Sequence, residues 1–211
     1  MRLETLTDPT AEPLLLAEVK DHLRLDGSVE DAALGALISA ARDMVERHLG
    51  LALTDRQVAV YLDAWPGETA DGSPWWSGVR DGAIPALSTA CHFVRLPVRP
   101  VSAIADVTIL AADGTGSIWD ASNYYLKPGH QPGLYRKQGA AWPAPGQVAD
   151  GIRITVTAGF GPSWNDVPAA IRQALLMLVA HLYSHRGDDQ GEALGASGAA
   201  QILLPYRERR L

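Results

Sequence analysis

The stretch 167-VPAAIRQALLMLVAHLYSHRG-187 predicts the dominant helix of this chain. Pro168 suits the first helical position, Asp166 is placed to satisfy free N–H groups, and Gly187 is a typical stop. The predicted helix therefore covers residues 168–186. Because it is apolar over most of its circumference between Leu175 and Leu182, we expect other elements to pack on more than one side of it.

Two further helices are predicted near the N-terminus. Residues 16–25 form a short amphipathic pattern, with Val19 and Leu23 on one face. Residues 29–49 carry apolar side chains at three- and four-residue spacing, and Gly50 follows as a stop signal. Ser28 and Asp31 resemble a capping box at the start of this helix.

The middle of the chain, 56–158, is predicted to be a β-rich insertion between the helices. Residues 65–88 break every period with Gly, Pro, Ser and Asp, which indicates a long loop. Asp113-Gly114 predicts a turn after the longest strand. The predicted strands cover residues 57–63, 93–96, 101–110, 124–126 and 152–157.

The C-terminal residues 187–211 differ in composition from the rest of the chain. Residues 187–201 are small and polar, which predicts a flexible tether. The tether ends in 202-ILLPYRERRL-211, an apolar and then basic segment. The predicted fold class is thus α+β: mainly an α-helical bundle, with a β-rich arm or small antiparallel sheet between the helices and a flexible C-terminal tail. We expect one domain over 1–186 and the tail over 187–211.

Composition narrows the function classes. The chain has 211 residues, a formal net charge of −6 and one cysteine, Cys91. One cysteine excludes an intrachain disulfide framework, and the acidic balance disfavours tight DNA binding through phosphates. No stretch approaches the roughly 20 apolar residues that a membrane span needs, and the N-terminus lacks the pattern of a signal peptide. We therefore expect a soluble protein, cytoplasmic at synthesis, with no membrane partner.

No catalytic, metal or cofactor constellation is found. His181 and His185 share a helical face, but no glutamate follows the first and no third ligand is nearby. The glycines of 113-DGTGS-117 have no Walker lysine, so a hairpin turn is the better interpretation. We expect no enzyme activity and no cofactor, although a hydrolase pairing Cys91 with a distant histidine stays open as an alternative.

The six tryptophans all lie in Pro- and Gly-rich connecting segments. A tryptophan in such a segment either covers a sheet edge or anchors an interface, where aromatic residues are enriched. Trp75 and Trp76 favour the interface interpretation, because a long loop without periodicity is usually functional.

The order of these elements resembles the head–tail connector (adaptor) proteins of long-tailed phages, and the equivalent adaptor of phage-like gene transfer agents. The resemblance covers nearly the whole chain, from about Leu14 to Gly187, and departs most in the loop 65–88. The segments that carry it are 18-EVKDHLRLDG-27, 34-LGALISAARDMVERHLGLAL-53, 60-VYLDAWP-66, 95-RLPVRPVSAIADVTI-109, 123-NYYL-126, 156-VTAGFG-161 and 167–187.

The resemblance implies a structural virion protein of the neck, present in the host cytoplasm during assembly. Copies would form a dodecameric ring under the portal protein, extend the DNA channel, and offer a platform to a stopper, another neck protein or a tail protein. DNA would pass through the lumen without tight binding, so acidic residues are expected to line it and arginines to lie at protein contacts.

Two groups of residues follow from the resemblance as candidate sites. The tail tip is expected to dock on the portal, through Ile202, Leu203, Leu204, Tyr206, Arg207, Arg209 and Arg210. A β-arm over Arg95–Leu110, its course set by prolines, is expected to reach another subunit or a neck partner. The residues assigned to that interface are Arg95, Pro97, Arg99 and Val101, together with Trp75 and Trp76, which are assigned from the long loop and not from the resemblance.

Two alternatives remain within particle assembly. The chain would otherwise be a different neck or tail-completion protein, such as a stopper, although stoppers tend to be dominated by β-barrels. A DNA-packaging accessory protein is the other alternative, disfavoured by the charge and by the lack of a basic helix.

Overall fold

The structure, a computed structural model, describes residues 1–66, 92–186 and 192–207. The described chain divides into two compact units. The first unit comprises Met1–Leu6, Gln57–Leu96 and Ala103–Thr157, and the second comprises Thr7–Arg56, Pro97–Ser102 and Ala158–Leu211. Helices and antiparallel strands are both present, so the predicted α+β class is confirmed. The first unit corresponds closely to the predicted β-rich insertion, with the N-terminal residues added.

The second unit contains the three predicted helices, α1 (Leu16–Leu23), α2 (Asp31–Leu49) and α3 (Ala169–Ser184). Gly50 adopts a left-handed conformation and its N–H bonds to the Glu46 carbonyl, which ends α2 as predicted. The predicted capping box is wrong, since no side chain caps α2 and Asp31 instead accepts a hydrogen bond from Lys20. Asp166 likewise caps a short 3₁₀ turn by accepting from the Ser163 N–H, at 3.0 Å, rather than serving α3.

The core of the second unit is built around α3, which packs against α1 and α2. Its fully buried side chains recur at three- and four-residue spacing and so lie on one broad face, while Leu176 and Met177 beside that face are half-buried. The fully buried ones are Ile171, Ala174, Leu175, Leu178 and Val179.

The C-terminal segment differs from the predicted flexible tail. Residues 192–207 include two short helices, α4 (Ala193–Ala196) and α5 (Ala199–Leu203), and both contact α3. Ala193, Ala199 and Leu203 are buried in the same core. Small residues predict a flexible segment, but here the small side chains of the alanines permit close packing against the apolar helix α3. Residues 187–191 and 208–211 lie outside the described part of the chain.

The first unit contains a five-stranded sheet in the order β1-β2-β8-β4-β5. The central strand β8 alternates little, because most of its side chains are buried. The edge strand β1 pairs antiparallel with β2, with Arg2 opposite Tyr61. The strands are β1 (Arg2–Thr5), β2 (Arg56–Leu62), β4 (Val101–Leu110), β5 (Gly116–Ile118) and β8 (Ile152–Ala158).

A second, antiparallel sheet of three strands has the order β3-β7-β6. It consists of β3 (Phe93–Arg95), β6 (Tyr124–Lys127) and β7 (Gly133–Arg136). The predicted β-arm Arg95–Leu110 is therefore not one element: β3 and β4 belong to different sheets. The sequence pattern does not predict three strands: β1 and β5 are fully exposed and show no apolar alternation, and β7 begins with a glycine.

The predicted turn at Asp113-Gly114 joins β4 to β5 as a hairpin. The Asp113 carboxylate accepts hydrogen bonds from the N–H and hydroxyl of Thr115, and Gly114 has a φ of +85°. Only glycine adopts that φ without strain, so the hairpin interpretation of 113-DGTGS-117 is confirmed.

Arg99 is the one buried arginine of the second unit's described residues. Its Nη2 donates to the carbonyl of Leu49, at 2.8 Å, and to that of Tyr206, at 2.9 Å. Its own carbonyl accepts from the Ala52 N–H. One side chain thus joins the end of α2 to the C-terminal turn, which lies more than 100 residues away in sequence.

Replacing this arginine tests how much the anchor contributes. We expect Arg99→Leu to destabilise the second unit by about 2–4 kcal/mol, since two carbonyls lose a charged donor. Urea unfolding followed by circular dichroism measures the change. Arg47→Leu, at an exposed position of α2, is the control and should stay within about 0.5 kcal/mol of the parent; equal effects would contradict the anchor role.

Asp55, also in the second unit, has a raised pKa. Burial is the main cause, and the nearby Asp166 carboxylate adds repulsion. Its Oδ1 is buried without a hydrogen-bond partner among the described residues. A carboxyl whose pKa is raised on folding favours the folded state when protonated, so its contribution is lost as pH rises through the folded pKa.

Asp55→Asn should therefore stabilise the protein in a pH-dependent way. We expect a higher urea midpoint than the parent at pH 7, and a difference that shrinks as pH falls through the raised folded pKa to the usual aspartate value. Paired unfolding curves at pH 7 and pH 3.5 measure it. An offset that is the same at both pH values would show that the titration of Asp55 is not responsible.

Candidate interaction surfaces

The predicted docking residues of the tail do not share one environment. Leu203 is fully buried, and Ile202 and Tyr206 are partly buried against the core of the second unit. Leu204 is 52% exposed and Arg207 is exposed. Arg209 and Arg210 lie outside the described residues. Leu203 therefore has a structural role, and Leu204 and Arg207 form the exposed tip of this segment.

The predicted interface residues around β3 also differ in their exposure to solvent. Arg99 and Val101 are buried inside the chain, so neither side chain is exposed on the described surface. Pro97 is half-buried in the connection from β3, while Arg95 is exposed on β3. Trp75 and Trp76 lie outside the described residues. Among the described residues of this group, Arg95 is the one that is exposed and can contact a partner.

Three tryptophans of the first unit form an internal aromatic cluster. Trp65 is almost fully buried, stacks on Trp142 with ring centroids 4.2 Å apart, and donates its indole N–H to the Pro143 carbonyl at 2.7 Å. Trp119 contacts both of these rings and Tyr124. Trp119 and Trp142 are half-buried and pack against the buried Trp65 within the same unit, which fits a covering role.

The three-stranded sheet exposes a row of aromatic rings on one face. Cross-strand pairing places Phe93 and Tyr125 directly opposite Tyr135, on either side of it. The ring centroids are 5.0 Å apart for Phe93–Tyr135 and 5.6 Å apart for Tyr125–Tyr135. Phe93 remains 42% exposed. The opposite face of the sheet is buried through Val94, Leu134 and Tyr124.

Cations flank this aromatic row. Because side chains alternate along a strand, Arg95 and Lys127 lie on the same face, and Lys127 Nζ is 5.4 Å from the Tyr135 ring centroid. Lys137 follows β7 on that side and lines an open cavity of about 510 Å³ beside Tyr125. We call this surface the basic face and define it as Phe93, Arg95, Tyr125, Lys127, Tyr135 and Lys137.

The electrostatics of the basic face follow from its sequence. Residues 92–105 and 121–149 contain no aspartate or glutamate, although the whole chain has a net charge of −6. Asp120 lies at the border, where hydrogen bonds from Ser122 chiefly lower its pKa and the positive charge of Lys137 adds to the effect. This face is not among the surfaces predicted from the sequence. The pattern that indicates it is an aromatic residue followed two positions later by a cation, as in Phe93/Arg95 and Tyr125/Lys127, in stretches without acids.

The described residues hold neither a metal-binding cluster nor a membrane-spanning helix. Residues 1–66, 92–186 and 192–207 contain no group of three or more His, Cys, Asp or Glu side chains that would hold a metal ion. His181 and His185 stack on each other with centroids 4.2 Å apart. No helix in these ranges has both the length and the apolar character to cross a membrane.

The described residues thus present an exposed C-terminal tip and an aromatic, basic sheet face on two small folded units. In a comparison with known proteins, residues 14–73 match the model of the phage gp6-like head-tail connector protein family. No curated protein sequence gives a significant match.

Solved structures resemble the whole chain. A chain in the neck of an empty gene transfer agent particle, computed with C6 symmetry, has a TM-score of 0.76. Chains in the virion of a native particle and in its neck with C12 symmetry have TM-scores of 0.73 and 0.72. Each is 27% identical to this chain, covering 100% of it and 97% of the other. The resemblance to head–tail connectors and to gene transfer agent neck proteins is confirmed.

The aromatic cluster allows a test of which aromatic residues stabilise the fold of the first unit. We expect Trp65→Ala to destabilise it by about 3–5 kcal/mol, because a large buried side chain leaves a cavity. Hydrogen exchange of the β2 amides measures this loss in the unit itself. Tyr125→Ala, on the exposed basic face, should cost about 1 kcal/mol or less; a comparable loss there would mean that the face is needed for folding.

Proposed function

We propose that this chain is a head–tail adaptor of a phage-like particle. Copies form a ring beneath the portal, extend the DNA channel, and present a platform for a stopper or tail component. The observation that carries the proposal is the likeness, over the whole chain, to a chain of the native neck computed with C12 symmetry, which supports a ring of twelve. The protein acts as a structural part and not as an enzyme.

The exposed tip of the C-terminal segment is the proposed portal contact. Leu204 has a large apolar side chain that is exposed, whereas the residue before it, Leu203, is buried in the core. Arg207 follows where the chain leaves the 3₁₀ turn Leu204–Tyr206. Docking therefore uses a tip presented by packed helices, which limits the ordering entropy that a flexible tail would lose on binding.

The negative net charge suits a channel through which DNA moves. Phosphate contacts by lysine and arginine would bind the passing duplex, whereas an acidic lumen repels it. We propose that acidic residues line the channel and that cations lie at protein contacts. A stopper, the alternative within the neck, would bind the assembled adaptor and not the portal alone; a packaging accessory would bind DNA.

The test is complex formation between the full chain and its cognate portal ring, measured as mass. We expect the parent chain to give a ring-sized gain, and Leu204→Asp/Arg207→Glu to weaken binding by about tenfold or more, as loss of a buried anchor does. Val29→Asp/Arg47→Glu is the matched control, since it makes the same charge change at exposed positions of the second unit and Val29 is 99% exposed.

The outcomes separate the parts of the proposal. Equal binding by both double variants would remove the docking role from the tip. No gain with the parent chain would favour a lower neck component. Truncation after Gly187 is a poorer test, because it removes Ala193, Ala199 and Leu203 from the core of the second unit.

A further inference from the structure

We propose that the basic face of the three-stranded sheet is the surface through which each copy of this chain contacts the next copy in the ring. The proposal rests on the ring function above and names the residues that build it. It differs from the interface expected from the sequence, because Arg99 and Val101 are buried and only Arg95 is retained from that group.

The first step concerns apolar surface. Phe93 and Tyr125 are 42% and 47% exposed, although both are pinned by strand pairing to Tyr135. Gly133, in the same strand, leaves room for the Tyr135 ring, whose Cε2 would lie 3.0 Å from a Cβ at that position. The rings are therefore held rigidly before any partner binds. Pre-ordered aromatic side chains lose little entropy on binding, which is why they are common interface anchors.

The second step concerns the kind of partner. Tyr135 has Phe93 against one side and Tyr125 against the other, with interplanar angles of 13° and 26°. The row consequently presents ring edges to solvent, and the central ring has no face left for a nucleobase. Platforms for single-stranded nucleic acid work by exposing ring faces to the bases. The geometry therefore favours a protein surface packed over the edges.

The third step concerns charge. Lys127 and Lys137 lie beside the row, and no acid occurs in the strands of this sheet. A protein partner that covers them must be acidic, because burying like charges together is unfavourable. The chain as a whole is acidic at −6, so the rest of its residues carry more negative charge than that total. A second copy thus offers the complementary charge.

The fourth step concerns symmetry. In a ring, each contact joins two different surfaces of the same chain, and the contact repeats until the ring closes. A basic aromatic face on a chain that is otherwise acidic satisfies this requirement with one sequence. An isologous contact, basic face against basic face, would place the cations of both copies together and is excluded by repulsion.

The experiment uses site-specific photocrosslinking in the full chain. Benzoylphenylalanine replaces Tyr125 in one version and Ile118 in the control; Ile118 is 76% exposed in β5, outside the basic face. Each version is assembled on the portal ring, its mass is recorded, and the sample is irradiated. We expect position 125 to give covalent chain–chain products that join it to acidic peptides of a second copy, and position 118 to give few.

The results distinguish this contact from the ring function itself. A ring-sized mass with crosslinks from position 125 to the portal, to another neck protein or to DNA would overturn the contact and leave the ring standing. A ring with no crosslink at all would do the same. Absence of any ring with the parent chain would overturn both proposals together.

A charge variant provides the second arm. Lys127→Glu should raise the concentration needed for half-maximal ring assembly by about tenfold, because it replaces attraction by repulsion at every contact. Arg47→Glu, with the same change of charge at an exposed site of α2, is the control and should leave assembly unchanged. Circular dichroism of both variants checks that the fold is retained. Equal behaviour of the two variants would contradict the proposal.

Discussion

The apolar circumference of α3 is the constraint on which the second unit depends. A helix that is apolar over most of its circumference needs more than one element packed against it, since each exposed apolar side chain would cost burial free energy of about 1.5–3 kcal/mol. The helices α1 and α2 cover part of α3, and α4 and α5 cover another part. The C-terminal segment is therefore needed by the fold before any partner is present, and Arg99 fixes its end by bonding the Tyr206 carbonyl.

How far the sequence predicts this structure depends on the length of each pattern. The strand 101–110 is predicted with its observed bounds, and each end of the three main helices is predicted to within two residues. The reason is that period and stop signals agree over many residues. The strands Arg2–Thr5 and Gly116–Ile118 are too short to show alternation and are fully exposed, so no apolar signal marks them. Alanine and glycine near residue 195 carry no period at all, so their packing on α3 depends on tertiary contacts alone.

The candidate surfaces were predictable in part, for physical reasons that individual residues illustrate. Arg95 and Arg99 look equivalent in sequence, because a proline follows each of them within two residues. Yet Arg99 donates to two carbonyls inside the chain, whereas Arg95 is exposed. Only the three-dimensional position of the Leu49 and Tyr206 carbonyls separates them. The aromatic row likewise depends on β7, a strand with glycine at its start that pattern analysis passes over, and without which Phe93 and Tyr125 would not be neighbours.

The arginines of the second unit and the cations of the basic face have different surroundings, and this difference connects fold to assembly. In the second unit, arginines bond acids of nearby segments, as Arg172 does with Glu18 and Arg56 with Glu46. Such pairs neutralise each other and leave little field at a distance. The strands of the basic face contain no acid, so the charge of Lys127 is not neutralised by a carboxylate of its own sheet. In the proposed ring, this segregation lets one acidic chain do two things: it attracts its neighbour at a defined face and repels the DNA that passes through the channel.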